Sequence, residues 1–309
     1  MEVVTALIGG LPRPVGLAKA IEKYNTGKLS QEKLEQEYRK HTVKAYEKLK
    51  EIGISIVTDP LYRWDDIFNP LIGFIEGIEV NGLYKFYENN FFYRSPVVKE
   101  QLSLRDNPII EWTETNREIL EDVYPDATLK QVLPGPVSLA FHSLDEYYND
   151  RTALARDYGR KVLLPLIRKL KNIVDIIELH EPALCIDDKS EYLGILNEIV
   201  EKSPLKAWIV TYFGEPKVDG IEKLNAVINV DLVESKGEIL EKLNGEVGIG
   251  IVNSRETRLE DVKRLREILS SLSNRFSTIY ITPNTLLDFL PESVAFRKLQ
   301  LLKKLVGGG

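Results

Sequence analysis

The sequence predicts an α/β fold, a (β/α)₈ barrel with an inserted β-hairpin, and three observations carry that prediction. Eight short apolar runs recur along the 309 residues, most of them followed by a segment of helical periodicity. Strands buried on both faces read as continuous β-branched runs of this kind. The stretches His180-Glu181-Pro182-Ala183, Thr211-Tyr212-Phe213-Gly214-Glu215, Val252-Asn253-Ser254-Arg255 and Thr282-Pro283-Asn284-Thr285 each directly follow an apolar run. The C-terminal end of a strand is where a barrel keeps its binding residues. Finally, Gly9-Gly10-Leu11-Pro12 after the first run lacks the spacing of the phosphate loop that an open doubly wound sheet carries there.

The elements follow in order. Val3 to Ile8 is a strand stopped by two glycines. Ser30 caps a charged helix that runs to about Lys50 and is ended by Gly53. Ile54 to Val57 is a buried strand delivering Thr58-Asp59. The aromatic, β-rich stretch from Leu83 to Val98, with Asn89-Asn90 between two runs, reads as a hairpin. A helix spans about Trp112 to Asp122. Leu129 to Leu133 is a strand closed by Pro134-Gly135-Pro136, whose fixed φ angles shape a loop. Leu144 to Leu170 reads as one long helix that Pro165 kinks. Strands follow at Val174–Leu179, Lys206–Thr211, Ala226–Asp231, Val247–Val252 and Thr278–Ile281. Helices are expected over Lys189–Glu201, from about Gly237, over Leu259–Ser271 and over Ser293–Leu305. Residues 1–309 are expected to form one barrel domain, with the hairpin at about 83–98 and a frayed Gly307-Gly308-Gly309.

Composition narrows the function classes. Hydrophobic residues at 43% supply a sizeable core. With 41 basic and 47 acidic residues, a net charge of −6 and no clustered basic face, nucleic acid is not an expected partner. Lys298 to Lys304 reads as a solvated helix face. No apolar stretch approaches the ~20 residues that span a bilayer, and no signal-peptide pattern opens the chain. Cys185 is the only cysteine, so no intrachain disulfide forms. A cytoplasmic protein is expected, and high Lys, Glu and Ile content points to a heat-adapted source.

The order Ile8-Gly9-Gly10-Leu11-Pro12-Arg13-Pro14, Thr58-Asp59, Pro134-Gly135-Pro136, Glu181-Pro182-Ala183 and Thr282-Pro283-Asn284 resembles the cobalamin-independent methionine synthase family across essentially the whole chain. The resemblance implies a barrel that handles a folate methyl donor and homocysteine. In that family the catalytic barrel holds zinc through a His-x-Cys pair, a Glu and a later Cys, and the metal makes the thiol a thiolate. Here those places read Val210-Thr211-Tyr212, Asp231 and Thr285, so zinc is not expected. The family's proton-donor His falls near Asn253, and Gly10 replaces the Ser of the homocysteine-binding turn. Thr211-Tyr212-Phe213-Gly214 and Val252-Asn253-Ser254-Arg255 resemble the family's zinc-free N-terminal barrel. That half holds folate through an Arg-x-x-Lys after the first strand. Here Arg13 is kept and Lys19 lies one position late. The hairpin resembles the compact archaeal single-barrel form.

Each candidate carries two readings. His180 and Glu181 are either ligand contacts or structural hydrogen bonds, and strand alternation lets only one face the barrel interior. Asp59 with Arg63 and Asp65 either binds a zwitterion or makes a loop salt bridge. Tyr212 and Phe213 either stack a pterin or pack the mouth. Asn253-Ser254-Arg255 either contacts an anion or caps the helix at Leu259. His41 and His142 are expected on the surface. Asp59, Glu181, Tyr212 and Asn253 are expected around one cleft. The leading expectation is an accessory or methyl-donor-binding subunit for a separate zinc-bearing homocysteine methyltransferase, with a folate or a corrinoid as the donor. The alternatives are an independent zinc-free enzyme of the same superfamily, related to corrinoid methyltransferases or uroporphyrinogen decarboxylase, or a homocysteine S-methyltransferase in its own right.

Overall fold

The computed structural model describes residues 2–87 and 91–306, so the Asn89-Asn90 turn and the glycine tail lie outside the described residues. Its strands are β1 (Glu2–Thr5), β2 (Ile56–Thr58), β3 (Ile75–Lys85), β4 (Phe92–Leu104), β5 (Thr128–Pro134), β6 (Leu144–Asp145), β7 (Ile176–His180), β8 (Lys206–Val210), β9 (Val227–Asp231), β10 (Glu246–Val252) and β11 (Thr278–Pro283). Eight of them form one sheet in the order β1-β11-β10-β9-β8-β7-β5-β2, all parallel. The Ala6–Ile56 bridge and a 2.9 Å bond from Leu7 N–H to the Ile56 carbonyl join its two ends. The result is the expected (β/α)₈ barrel.

The helices are α1 (Val15–Asn25), α2 (Gln31–Ile52), α3 (Ile109–Val123), α4 (Pro136–His142), α5 (Arg151–Tyr158), α6 (Leu164–Leu170), α7 (Leu193–Lys202), α8 (Val262–Leu272) and α9 (Glu292–Val306). Ser30 caps α2 by accepting from Lys33 N–H, and Gly53 ends it in the left-handed region at φ 83°. Four expectations change. The long helix starts seven residues later than Leu144 and runs without a break from Arg151 to Leu170. Leu144–Asp145 is a strand, and α5 starts only after Asp150, whose carboxylate caps the Thr152 and Ala153 N–H groups. A π-turn at Gly159–Leu163 precedes Pro165, which has no N–H to continue an α-helical ladder. The segment after β9 makes only a 3₁₀ turn, Glu238–Glu241, because Gly237 at φ 70° and Gly245 at φ 74° leave no room for a helix. Pro134-Gly135-Pro136 is not only a loop, since α4 begins at Pro136.

The hairpin is longer than 83–98. Its first strand starts at Ile75, where exposed charges such as Glu76 and Glu79 hide the apolar signal. Within the barrel, Ala6, Ile56, Ile176, Trp208, Val227 and Tyr280 form an apolar floor. Polar side chains lie above it, toward the C-terminal mouth.

Candidate functional site

The barrel interior is built from residues two apart along each strand, which share a face. Lys130 on β5 and Glu178 on β7 form an ion pair in which both side chains are fully buried. The Lys130 ammonium also donates to the Leu7 carbonyl at 2.7 Å and lies 3.9 Å from the centre of the Trp208 ring. Glu178 Oε1 accepts from Gly9 N–H at 2.8 Å and pairs with His180 Nε2 at 2.7 Å. His180 Nδ1 lies 3.2 Å from the Tyr212 hydroxyl. Burial alone would raise the Glu178 carboxyl, but the Lys130 charge and the His180 bond outweigh it and hold it at about 2. Carboxylate, imidazole and phenol therefore form one chain from the barrel centre to its mouth.

The hairpin covers that mouth with rings. Tyr212 packs on Phe213 at 4.8 Å between centroids, Phe213 on Tyr87 at 5.2 Å, and Tyr87 on His142 at 5.0 Å. His142 also meets Phe68, Phe86 and Tyr93. It is thus not the surface residue expected: burial pulls its pKa down to about 4. His41 is also largely covered, on α2, 3.5 Å from Glu37. Asp66 anchors the hairpin by accepting from the Phe68, Asn69 and Arg94 N–H groups and from the Asn69 amide.

The other candidates disperse. Glu181 points away from His180 and caps α4, accepting from Val137 N–H at 2.9 Å and Ser138 N–H at 2.7 Å. Burial lifts its carboxyl to about 7 against those bonds. A Cβ at Gly135 would come within 2.2 Å of the Glu181 carboxyl carbon, so only glycine fits there. Asp59 accepts from Leu61 N–H and lines a 360 Å³ groove between α2 and α3, with its carboxyl pushed up to about 6 by burial. Arg63 shares that groove, paired with Glu35 and stacked 4.0 Å from the Tyr38 ring. Asp65 pairs with Arg13, whose guanidinium also binds the Tyr62 and Trp64 carbonyls. Asp59 and Arg63 therefore share one groove as expected, and Asp65 stands apart from them beside Arg13. Lys19 is exposed on α1. Asn253 lines a separate 510 Å³ groove beside α8, where its carboxamide accepts from Arg255 N–H. Asp261, not Asn253 or Ser254, caps α8. Arg255 pairs with Glu234 and stacks 5.1 Å from the Phe213 ring. The structure joins His180 to Tyr212 and places Asp59, Glu181 and Asn253 in three other surroundings.

The sequence reading missed Lys130, Glu178 and Asp288. The first two had a signal: a charge inside each of the β-branched runs Thr128–Pro134 and Ile176–His180. Asp288 follows β11, faces solvent in a cleft, and has its carboxyl raised to about 7 by the protein around it. That cleft comprises a 180 Å³ cavity bounded by Gly10, Arg13, Trp64, Val132 and Asp288, and a 40 Å³ extension bounded by Phe86, Tyr93 and Phe289.

The side chains at the resembling family's zinc positions do not fit a zinc donor set. Val210 has no side-chain donor atom, Thr285 offers only a buried hydroxyl, and Tyr212 is engaged with His180. Asp231 accepts from the Phe213, Val233 and Glu234 N–H groups and from the Asn284 amide. Cys185 donates to the Gly214 carbonyl, and burial pushes its thiol up, away from the thiolate that metals prefer. Among the described residues, no group of three or more His, Cys, Asp and Glu side chains is placed to hold a metal ion.

A family model described as "Cobalamin-independent synthase, N-terminal domain" matches residues 75–277, more than half of the chain. A protein named methionine synthase from Saccharolobus solfataricus is 25% identical over 96% of this chain and 91% of its own length. Another of that name from Sulfolobus acidocaldarius is 25% identical over 96% and 88%. A solved B12-independent methionine synthase from Shewanella shares the fold, with a TM-score of 0.83 at 19% identity, over 99% of this chain and 97% of that one. With its eight-stranded parallel barrel, the chain belongs to the cobalamin-independent methionine synthase family.

Proposed function

We propose that this chain is a zinc-free barrel of the family, an accessory subunit that holds a methyl donor for a separate zinc-bearing homocysteine methyltransferase. One observation carries the reading. Of the residues at the metal positions, Val210 and Thr285 supply neither the imidazole nor the thiolate of the family's set, Tyr212 and Asp231 are tied into internal hydrogen bonds, and Glu178 and His180 beneath them are fully buried. A free thiol near neutral pH is only a minor fraction thiolate, and nothing in this donor set would activate it. The relatives named methionine synthase support the reaction class of the assembly.

A steady-state methyl-transfer assay tests the reading. It runs homocysteine and the donor with this chain alone, with a zinc-bearing barrel alone, and with both. The expected outcome is no methionine from this chain alone, and a higher rate or tighter donor affinity when it joins the zinc-bearing barrel. Clear methionine synthesis by this chain alone would overturn the assignment.

A further inference from the structure

We propose that the cleft between the loop after β11 and the hairpin binds a small methylated onium group, so that the donor held here is a sulfonium or quaternary ammonium compound. This rests on the donor-holding reading and names the chemical class of the donor.

The 180 Å³ cavity and its 40 Å³ extension share Asp65, Asp66, Ile67, Leu286 and Asp288, and so form one cleft at the barrel mouth. Most of its charges are already engaged. Asp66 accepts three backbone N–H groups and one amide. Asp65 pairs with Arg13, and Arg13 is further bound to two carbonyls. Asp288 remains, solvent-accessible, its carboxylate bonded to the N–H groups of its own short turn. Trp64 lies on the barrel side of the cleft, Phe86 and Tyr93 line the hairpin side, and Phe289 comes from the loop after β11. Phe289 is held there by an edge contact with Phe91 at 4.0 Å between centroids.

A methylated sulfonium or ammonium carries positive charge on a shell of methyl groups. It offers no N–H to match and loses little hydration on burial. Aromatic faces and a single carboxylate suit such a cation. A primary ammonium would instead need several directed acceptors, and the engaged carboxylates do not supply them. A folate's glutamate tail would meet three carboxylates and one guanidinium that is already paired.

The charged and titratable groups around Asp288 are Arg13, Asp65, Asp66, Tyr93 and Tyr212. Partial loss of hydration in the cleft lifts its carboxyl to about 7, while Arg13 opposes the rise. Onium affinity therefore strengthens as pH rises through about 7 and the carboxylate gains its charge.

Calorimetric titration of the intact chain at pH 8 tests the proposal, with trimethylsulfonium and tetramethylammonium as probes and tert-butanol as the uncharged isostere. Both onium probes should bind, at least tenfold more tightly than the isostere. Asp288→Asn should weaken them tenfold or more and Phe289→Leu several-fold, with melting curves close to the parent in both variants. Equal binding of probe and isostere, unchanged affinity in Asp288→Asn, or displacement of the probes by methyltetrahydrofolate at equal concentration would each overturn it. The titration needs no partner. Onium binding without enhancement of a zinc-bearing barrel would therefore sink only the accessory reading, and enhancement without onium binding would sink only this one.

Discussion

Lys130 and Glu178 show how one residue pair organises the barrel centre. Each would be costly alone at full burial, and each is retained because the other neutralises it. Lys130→Met should cost about 3–5 kcal/mol, because it leaves the Glu178 charge buried without its main partner. The double variant Lys130→Met with Glu178→Gln should lose less, since the glutamine oxygen can still accept from Gly9 N–H and His180. Urea denaturation of the parent and both variants measures this, and equal losses in single and double variants would count against the pair. Gly135→Ala tests a second residue. A methyl group 2.2 Å from the Glu181 carboxyl must push that side chain off the start of α4. A loss of about 1–3 kcal/mol is expected in thermal melts. The lone charge in each apolar run marked the interior pair in the sequence, but sequence alone could not show that the two charges meet across neighbouring strands.

At the scale of elements, the hairpin is an insertion held to the barrel at several points, among them the pairing of β4 with β6. Another is Asp66, which accepts the Arg94 N–H of β4 and three donors in its own loop. A third is the ring cluster around His142. Asp66→Ala should cost about 2–3 kcal/mol, the penalty of leaving such donors unmatched. The change should be local: faster amide hydrogen exchange in Phe92–Leu104, with β7 to β11 still protected. Uniform acceleration across the barrel would show that the hairpin and barrel open together. Aromatic content made the hairpin visible in sequence. Its first half was not, because Glu76 and Glu79 on an exposed strand carry no core-facing pattern.

For the whole molecule, buried carboxyls set the response to pH. Asp59 and Asp231 are raised to about 6 and Glu181 to about 7, all chiefly by burial. Each is protonated in the folded state over a window where the unfolded chain has lost the proton. Their contribution is therefore present at low pH and is lost as pH rises from about 4 to 7. His142, lowered to about 4, acts in the opposite sense, but it is one group against these three and Asp288, which is raised to about 7. Glu178, held at about 2, contributes stability that fades only as pH falls below its ordinary range. At ~1.4 kcal/mol per pKa unit for each group, the net result is a fall on the order of a few kcal/mol from pH 5 to pH 7.5. Urea midpoints at the two values measure it, and a higher midpoint at pH 7.5 would contradict the balance.

The sequence by itself determined the barrel. Eight β-branched runs spaced by helical segments have one economical way to bury both faces of every strand. Local chemistry was legible as well: Ser30 before α2, Gly53 after it, and His180 at a strand end beside Glu181. The tertiary structure decided which of the polar strand-end residues meet. Asp59, Glu181 and Asn253 each stand one position past an inward-facing residue, so their side chains turn outward into α2, α4 and α8 surroundings. His180 and Tyr212 face inward from neighbouring strands and touch. Asp288 became a site residue only because the hairpin, inserted more than 180 positions earlier in the chain, folds its rings over the loop that carries it. Neither strand periodicity nor local propensity encodes that distance, since both report only on residues within a few positions of one another.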